Sequence, residues 1–302
     1  MKFLFISILT LFTISTAVSK PRISITIDDP HIRQTPLYDP YTRNRMILDN
    51  LDKFDLKAAL FVCGMRVDSD SGRVLIDTWN NAGHMICNHS YSHLYYPSKK
   101  ITTEVFAEDF YRGDSIVNGY SGFKKLFRFP YLKEGSDSVK RDIMRNVLLQ
   151  NGYKNGNVSI DASDWYIDQR MSERLGADPN ADLTGYGDFY LVHIKERAEY
   201  YNNLAMEVIG REPDHVLLLH HNLLNALFLD DIIQMFIDNG WEVIDAMIAF
   251  EDPMYSESPD ELPAGESIIW SLAYATGKYD DVLRYPAEDG EYEKEKMDKL
   301  GL

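Results

Sequence analysis

Hydrophobic and polar positions along this chain follow two spacings in turn. Residues 23–27 alternate apolar and small polar side chains, and residues 58–63 and 83–87 are short apolar runs. Both patterns predict β-strands buried in a sheet. Residues 42–54 and 73–82, which lie between them, carry apolar side chains at helical spacing. Strands that alternate with helices in this way predict a parallel α/β fold.

The same alternation continues toward the C-terminus. It predicts helices over residues 104–117, 139–150, 189–209 and 229–239, and strands over 125–131, 157–161, 215–222 and 241–244. Residues 166–186 and 253–267 are polar or rich in proline, and we interpret them as loops that shape a groove. No linker divides the chain, so we predict one α/β domain over residues 20–285. Residues 286–302 form a charged tail, which we interpret as a solvated helix or a frayed end.

The first residues have the composition of an export signal. Lys2 precedes an uncharged apolar run, and the small residues Ala17 and Ser19 suit a signal peptidase. We therefore predict a signal peptide over residues 1–19 and a secreted or periplasmic protein without stable membrane insertion. An uncleaved anchor or a buried first helix is the alternative interpretation.

Charge and cysteine content narrow the choice of partners and compartment. The formal net charge of the 302-residue chain is −16, and a surface this acidic repels nucleic acid. Cys63 and Cys87 each end an apolar run. They form either a disulfide or two buried free thiols, and the sequence leaves this open.

Two histidines, His89 and His93, lie four positions apart at the end of a predicted strand. Neutral imidazole is the commonest metal ligand among side chains, and this spacing is a known half-site for a divalent ion. A catalytic site would add a carboxylate and keep open positions on the metal. A solvated turn that carries two unrelated histidines would show the same pattern.

Acidic and basic side chains end two other predicted strands. Asp28 and Asp29 follow the first strand, where α/β proteins place ligands and catalytic groups. One of them could bind a cation while the other acts as a base, although acids before a proline also mark surface turns. His220 and His221 end the strand at 215–222, and one of them is well placed as an acid unless both are core-edge histidines.

Arg128 and the dipeptide Asp164-Trp165 complete the set of candidates. Arg128 lies at the end of a short strand bounded by Pro130, a pattern that a surface strand edge would share. Asp164 could pair with Arg128, and Trp165 could form an aromatic wall for a sugar ring. An ordinary exposed loop would explain the same two residues.

Five segments therefore occur in a fixed order, each near the end of a predicted strand. They are Thr26-Ile27-Asp28-Asp29, His89-Ser90-Tyr91-Ser92-His93, Arg128-Phe129-Pro130-Tyr131, Asp161-Ala162-Ser163-Asp164-Trp165 and Leu217-Leu218-Leu219-His220. This arrangement resembles the polysaccharide deacetylase family, the carbohydrate esterases of family four, over about residues 22–250. The resemblance implies a distorted (β/α) barrel, usually of seven strands, with the site at the C-terminal mouth of the strands.

The resemblance also implies roles for the residues that match the motifs. Asp29, His89 and His93 would hold one divalent metal ion, typically zinc. Asp28 would be the general base, and His220 would be the general acid. His220 is preferred to His221 because Leu218 then lies two positions before the acid.

The remaining matches would support this chemistry. The backbone N–H of Tyr131 would bind the oxyanion, and Arg128 would pair with Asp164 and tune the base. Three residues would line the pocket for the acetyl group, namely Trp165, Leu218 and Pro130.

Together these features predict an exported metal-dependent hydrolase that removes N- or O-linked acetyl groups from a carbohydrate. Chitin oligomers, peptidoglycan and acetylated xylan all fit such a site. An amidase that acts on a non-sugar substrate, or a carbohydrate-binding protein without catalysis, is the alternative. Two histidines and one carboxylate also occur in iron(II) oxygenases, which would leave Asp28, Arg128 and His220 without a role.

Overall fold

The chain folds as an α/β protein in a computed structural model that describes residues 20–302. The predicted signal peptide, residues 1–19, lies outside the described residues. Seven strands form one sheet in this part of the chain. They are β1 Arg22–Asp28, β2 Ala59–Val62, β3 Met85–Asn88, β4 Phe123–Phe127, β5 Lys154–Asn155, β6 Asp214–His220 and β7 Glu242–Val243.

The sheet is parallel throughout and curled. Its order is β5-β4-β3-β2-β1-β6, and β7 pairs with the first two residues of β1. The chain that leaves β5 at one edge reaches β6 at the other, where Ile160 and Leu217 form an isolated parallel bridge. The predicted seven-stranded distorted barrel is therefore confirmed. The strand predicted over residues 157–161 is only this bridge.

Ten α-helices surround the sheet in the described part of the chain. They are α1 Pro40–Asp52, α2 Asp70–Asn81, α3 Thr103–Val117, α4 Ser138–Gln150, α5 Asp164–Ala177, α6 Thr184–Val208, α7 Leu223–Asp238, α8 Ala246–Ala249, α9 Ile268–Ala275 and α10 Glu291–Leu300. Six of them begin at a side chain that accepts a hydrogen bond from the first turn, namely Asp39, Ser69, Thr102, Asp137, Asn222 and Ser267. Such caps satisfy backbone N–H groups that the helix leaves unpaired, and they fix where each helix begins.

The parallel arrangement brings the ends of the strands together. β1 is buried from Ile23 onward, which accounts for its lack of charge before Asp28. Asp28 lies opposite Phe61 of β2 and opposite His220 of β6 in the strand register. Two candidate residues that are 192 positions apart in the sequence thus become neighbours.

The segment over residues 166–186, interpreted above as a loop, is mostly helical. It contains most of α5 and the start of α6. The buried residues Ile167, Met171 and Leu175 recur every four positions along α5 and pack into the core, while most of the residues between them are polar. The loop interpretation was wrong because so narrow an apolar stripe is easily missed in a polar segment.

The C-terminal residues form a helix, which was one of the two predicted alternatives, but this helix is partly buried rather than solvated. They form α10, in which Met297 and Glu293 are almost fully buried. Glu293 lies 3.6 Å from the Nδ1 atom of His193 on α6. A charged helix of this kind packs on the domain through one buried methionine and a set of ion pairs, a pattern that hydropathy does not reveal.

Both cysteines are buried free thiols rather than a disulfide. Within residues 20–302, no helix combines the length and the apolar composition that a membrane span requires.

Candidate active site

A cavity of about 570 Å³ opens where the strands end. Most of the residues singled out from the sequence line it, namely Asp28, Asp29, His89, His93, Tyr131, Trp165, Leu218 and His220. Arg128 and Asp164 are fully buried and lie behind this surface. Pro130, predicted in the acetyl pocket, is also buried, and its neighbours Phe129 and Tyr131 line the cavity instead.

Asp29, His89 and His93 form a compact triad of potential metal ligands. One ligand atom from each residue lies within 4.8 Å of the other two. His93 Nε2 lies 3.4 Å from Asp29 Oδ2. His89 Nδ1 lies 2.8 Å from the carbonyl oxygen of Arg128. Because a carbonyl only accepts, Nδ1 carries the proton, and His89 Nε2 presents its lone pair to the triad.

The chemistry of these side chains fits a divalent ion. Burial lowers the pKa of His89 to about 3 and also lowers the pKa of His93, so both rings are neutral, as a metal ligand requires. Asp29 Oδ1 is buried and has no hydrogen-bond partner among the described residues. Two imidazole nitrogens and one carboxylate match the ligand set of catalytic zinc sites.

A short turn after β3 holds the two histidines in place. Asn88 Oδ1 accepts the N–H of Ser90, and the Asn88 amide donates to the carbonyl of Phe110 on α3. The carboxylate of Asp109, also on α3, accepts the backbone N–H of Ser92 at 3.0 Å. The turn is thereby fixed to α3 on one side and to the sheet on the other. Asp109 was not identified from the sequence, because a single helical aspartate carries no local signal of this role.

Asp28 lies directly beside the triad and is held by Arg128. The Arg128 guanidinium donates to Asp28 Oδ1 at 2.5 Å and to the hydroxyl of Thr26 at 3.0 Å. Asp28 Oδ2 faces the other way and lies 3.6 Å from His89 Nε2. Burial raises the pKa of Asp28 to about 7, although Arg128 and His220 both lower it. The depth of burial therefore outweighs the two neighbouring positive charges.

His220 faces the cavity and is held from behind by Asp164. Its Nδ1 atom lies 2.7 Å from Asp164 Oδ1. Burial by itself lowers the pKa of His220, but Asp164, Asp28 and Asp29 outweigh it and raise the pKa to about 9. The ring is therefore an imidazolium at neutral pH, and its Nε2 proton remains free to be donated.

The predicted pair between Arg128 and Asp164 is wrong. Arg128 contacts Asp28, whereas Asp164 Oδ2 accepts three N–H groups, from the His220 backbone and from the side chains of Asn222 and Asn225. With Oδ1 bound to His220, the carboxylate of Asp164 has no oxygen left for a guanidinium. The structure thus contains two separate pairs: Arg128 holds Asp28, and Asp164 holds His220.

The tandem histidines at the end of β6 have different environments. His221 is buried, and its Nε2 atom lies 2.9 Å from the side-chain oxygen of Asn44. That oxygen also accepts the indole N–H of Trp79. His221 is therefore tied into the packing of α1 and α2, while His220 keeps its ring toward Asp28.

Backbone strain is concentrated at the cavity. Seven non-glycine residues in the described chain have positive φ, and five of them line the cavity, namely Asp29, His93, Tyr131, Leu132 and Glu266. Such a conformation costs about 1–3 kcal/mol at each residue and persists where the surroundings enforce it. The strain marks this cavity as the functional site.

Several cavity residues were not identified from the sequence. Arg66 lies just after β2 with its guanidinium 3.2 Å from Asp29 Oδ2, and its position after a strand was a usable signal. Asp161 begins the fourth of the five segments but was given no role, yet it lines the cavity, and burial raises its pKa to about 6. Lys133 and Glu266 also line the cavity, where they form a buried ion pair. Their pairing spans 133 positions, so nothing local in the sequence indicates it.

Comparison with known proteins gives one family. Residues 15–156 match the family model described as polysaccharide deacetylase. Over 157 residues the chain is 26% identical to a peptidoglycan-N-acetylglucosamine deacetylase of Bacillus cereus, an alignment that covers 51% of this chain and 50% of that protein. The chain thus spans about half the length of the curated relative it matches.

Solved structures show the same fold. A pseudoenzyme of the CE4 family from Bacillus anthracis is 16% identical, with a TM-score of 0.52 over 76% of this chain and 65% of the other. A peptidoglycan N-acetylglucosamine deacetylase in complex with 4-naphthalen-1-yl-N-oxidanyl-benzamide is 20% identical, with a TM-score of 0.51 over 77% and 89% of the two chains. These likenesses concern the fold alone. The matched family model and the sequence relative show that the matched part of the chain is similar to the polysaccharide deacetylase family.

Proposed function

We propose that this chain is a metal-dependent deacetylase that removes acetyl groups from a carbohydrate. The observation that carries the proposal is that one cavity holds a metal-ligand triad together with a separate carboxylate and a separate imidazolium. Asp28 and His220 are neighbours in the strand register and take opposite protonation roles. A site that only bound carbohydrate would have no need of this division of roles.

The triad Asp29, His89 and His93 would hold the metal, and zinc is the ion we propose from the ligand types. A divalent ion bound there would polarise the acetyl carbonyl and lower the pKa of an attacking water. Three protein ligands leave open positions for water and substrate. Arg66, which lies beside Asp29, favours the ionised form of that carboxylate.

Asp28 takes the proton from the attacking water in this proposal. Its Oδ2 oxygen is free for that role, because Arg128 holds Oδ1. A pKa near 7 suits a general base that works at neutral pH. The positive charge of Arg128 remains behind the carboxylate and keeps it in position.

His220 gives its Nε2 proton to the departing nitrogen or oxygen as the bond to the acetyl carbon breaks. Asp164 supports this step, since it orients the ring and keeps it protonated. The backbone N–H of Tyr131 is proposed as an oxyanion donor, because Tyr131 lines the cavity beside His93. Trp165 and Leu218 are proposed to enclose the acetyl methyl group.

The relative from Bacillus cereus is named for peptidoglycan and for N-acetylglucosamine. This name supports an N-acetylated glycan as the substrate of the present chain, in preference to an O-acetylated xylan. Chitin oligomers contain the same N-acetylated sugar and are proposed as the second carbohydrate to test.

Acetate release by the purified protein tests this function. We expect zinc-dependent acetate from peptidoglycan or from N-acetylglucosamine oligomers, loss of release after chelation, and recovery when zinc is added back. Acetylated xylan and a small aryl acetate complete the substrate set and separate glycan preference from general esterase activity. A zinc-loaded protein that releases no acetate from any of the four would contradict the proposal.

We further propose that the protein is exported, from the composition of residues 1–19. Mass measurement of the protein recovered from the periplasm or the medium tests this. A mature chain that begins near Lys20 is the expected result, and a full-length chain retained in the cytoplasm would contradict it.

A further inference from the structure

One buried amide side chain, Asn225, contacts both members of the pair formed by His220 and Asp164. Asn225 lies in the first turn of α7 and is fully buried. Its amide nitrogen donates to Asp164 Oδ2 at 2.9 Å and to the carbonyl oxygen of His220 at 2.9 Å. A single side chain thus bridges the carboxylate and the backbone of the histidine that this carboxylate orients.

The orientation of the Asn225 amide is fixed by Tyr190. The hydroxyl of Tyr190, on α6, donates to Asn225 Oδ1 at 2.6 Å. The amide nitrogen then faces Asp164 and the carbonyl of His220, which are both acceptors, whereas a flipped amide would turn its oxygen toward them. Tyr190 and Asn225 are both fully buried, so bulk water does not weaken the bond between them.

His220 is restrained at three points as a result. Its backbone N–H donates to Asp164 Oδ2 at 2.9 Å, and its carbonyl oxygen accepts from Asn225. Its ring Nδ1 lies 2.7 Å from Asp164 Oδ1. The ring therefore has little freedom to turn, and Nε2 keeps one direction. A general acid acts only when its proton lies within hydrogen-bond reach of the leaving group.

The same contacts favour the negative charge of Asp164. Asp164 is the first residue of α5, where the helix dipole stabilises an anion. Its Oδ2 oxygen accepts three N–H groups, one of them from Asn225, and such donors favour a carboxylate over a carboxylic acid. The proton between Asp164 and His220 therefore stays on the ring.

These restraints come from helices rather than from the sheet. Asp164, Tyr190 and Asn225 belong to α5, α6 and α7, whereas His220 ends β6. Neither Tyr190 nor Asn225 belongs to the five segments described above, and both lie outside the residues that the family model matches. Neither of them lines the cavity. Any effect that they have on a reaction there must act through Asp164 and His220.

We propose that Asn225, oriented by Tyr190, is a positioning residue for the general acid. This rests on the proposed function, in which His220 gives its Nε2 proton to the departing nitrogen or oxygen as the bond to the acetyl carbon breaks. The proposal concerns that step alone and leaves the activation of water to Asp28. The effect of Asn225 should therefore depend on how strongly the leaving group needs a proton.

Two substrates with different leaving groups test this dependence. The nitrogen of an N-acetylglucosamine oligomer needs a proton to depart, whereas the nitrophenolate of an aryl acetate departs without one. With the oligomer, we expect acetate release to fall about tenfold in Tyr190→Phe and about 10²-fold in Asn225→Asp, the lower part of the range for general acid catalysis. With the aryl acetate, both variants should stay within about threefold of wild type.

The variants are chosen to separate positioning from folding. Asn225→Asp keeps the size of the side chain but turns an oxygen toward two acceptors, whereas Tyr190→Phe removes only the hydroxyl that orients the amide. Tyr190→Phe decides the question if Asn225→Asp does not fold. Tyr186→Phe changes another buried tyrosine of α6, one turn before Tyr190, and should behave like the wild type with both substrates. Equal losses of Tyr190→Phe with the two substrates, or no loss with either, overturn the proposal.

Nuclear magnetic resonance tests the positioning without any turnover. The Nδ1 proton of His220 lies in a hydrogen bond with 2.7 Å between nitrogen and oxygen and should give a downfield resonance, identified by its loss in His220→Gln. Tyr190→Phe should shift this resonance or speed its exchange with water, and Tyr186→Phe should do neither. A resonance that Tyr190→Phe leaves unchanged overturns the proposal. A zinc-loaded wild-type chain that releases no acetate from either substrate contradicts the proposed function instead, and the resonance then decides whether Asn225 positions His220.

Discussion

The cavity has two walls that are built in different ways. The metal wall consists of Asp29, His89, His93 and Tyr131, and all four belong to the part of the chain that the family model matches. The C-terminal wall consists of Glu266, Pro286, Glu288 and Asp289, which all lie outside that part.

The metal wall is held by the sheet itself. The N–H of Asp29 donates to the carbonyl of Phe61, and the N–H of His89 donates to that of Val62, both on β2. Backbone hydrogen bonds between neighbouring strands thus continue directly into the metal ligands. Groups on such a scaffold keep their geometry, as a reaction requires.

The C-terminal wall depends on side chains and on an antiparallel backbone bridge between Gly265 and Lys133. Glu288 is buried, its carboxylate lies 2.8 Å from Arg197 Nε, and burial raises its pKa to about 8. No strand of the sheet passes through this wall. From this difference we expect the metal wall to affect the rate of the proposed reaction and the C-terminal wall to affect the choice of substrate.

The largest effect should come from removing Asp28, the proposed general base beside the metal wall. Asp28→Asn keeps the shape of the side chain, and we expect the rate of acetate release to fall about 10²–10⁴-fold, because general-base catalysis contributes about that much. Zinc content, measured on the purified variant, should stay near one ion per chain. A variant that retains full activity would rule out Asp28 as the base.

The matched control lies on the C-terminal wall. Asp289→Asn changes another cavity-lining carboxylate in the same way, and asparagine can keep its bond to the backbone N–H of Glu291. Its activity toward a small aryl acetate should remain within a few-fold of wild type. Equal losses of activity in Asp28→Asn and Asp289→Asn would show that the two walls do not differ in their roles.

A smaller effect should follow from removing the carboxylate behind the general acid. Asp164→Asn takes away the negative charge that raises the pKa of His220 to about 9. The pKa of the ring then falls, and the imidazole loses its proton at lower pH. The alkaline limb of the pH–rate profile should move to lower pH, with about a tenfold loss for each unit by which the pKa falls below the assay pH. An unshifted limb would show that His220 is not the acid.

The sequence was most informative about candidate residues at the C-terminal ends of strands. Asp28 and His220 are the last residues of buried strands, and Asp29 and His89 follow such strands directly. Parallel pairing makes these positions converge whatever the helices between them do. The fold and the metal triad were therefore predictable from short segments. The resemblance to a known family supplied the roles of these residues.

Long-range pairing could not be predicted in the same way. Arg128 was matched to Asp164 because their charges are complementary and because the resemblance to a known family implies this pair. The actual partners depend on how the sheet curls and on three N–H groups that saturate one oxygen of Asp164. The C-terminal wall was missed for a related reason, since its charged residues look solvated unless their buried partners are known.

A backbone change at Gly265 would test how the C-terminal wall is held. Gly265 has a φ of +112°, and a Cβ there would lie 1.9 Å from the carbonyl oxygen of Leu132. Gly265→Ala must therefore displace the bridge to Lys133, and we expect a loss of about 2–4 kcal/mol in the free energy of unfolding. Denaturant unfolding measures this loss.

Gly277 provides the control for that change. It also has positive φ, +66°, but a Cβ there would meet no atom within 4 Å. Gly277→Ala should cost only about 1 kcal/mol, the usual penalty for a left-handed alanine. Similar losses in both variants would show that the contact with Leu132 does not hold the wall.

The smallest effect concerns the scaffold at the opposite end of the strands from both walls. His84 precedes β3, is buried, and accepts the N–H of Ala58 on Nδ1 at 3.0 Å. Burial lowers its pKa to about 4, and Lys57 adds to this. In the unfolded chain its pKa is about 6.5, so below that pH the unfolded state binds the extra proton. The contribution of His84 to stability is therefore complete above pH 6.5 and is lost as the pH falls toward 4.

At pH 5.5 the protonation of His84 in the unfolded chain should lower the free energy of unfolding by about 1.4 kcal/mol. Because other buried histidines add to the total, the informative quantity is the difference in slope between the wild type and His84→Gln. Glutamine can accept the same N–H without titrating, so the variant should lose stability more slowly between pH 6.5 and 5, whatever its stability at pH 7. Parallel curves of stability against pH would mean that the pKa of His84 does not differ between the folded and unfolded states. A change of slope with unaltered zinc content would show that acid weakens the scaffold independently of either wall, since His84 contacts neither of them.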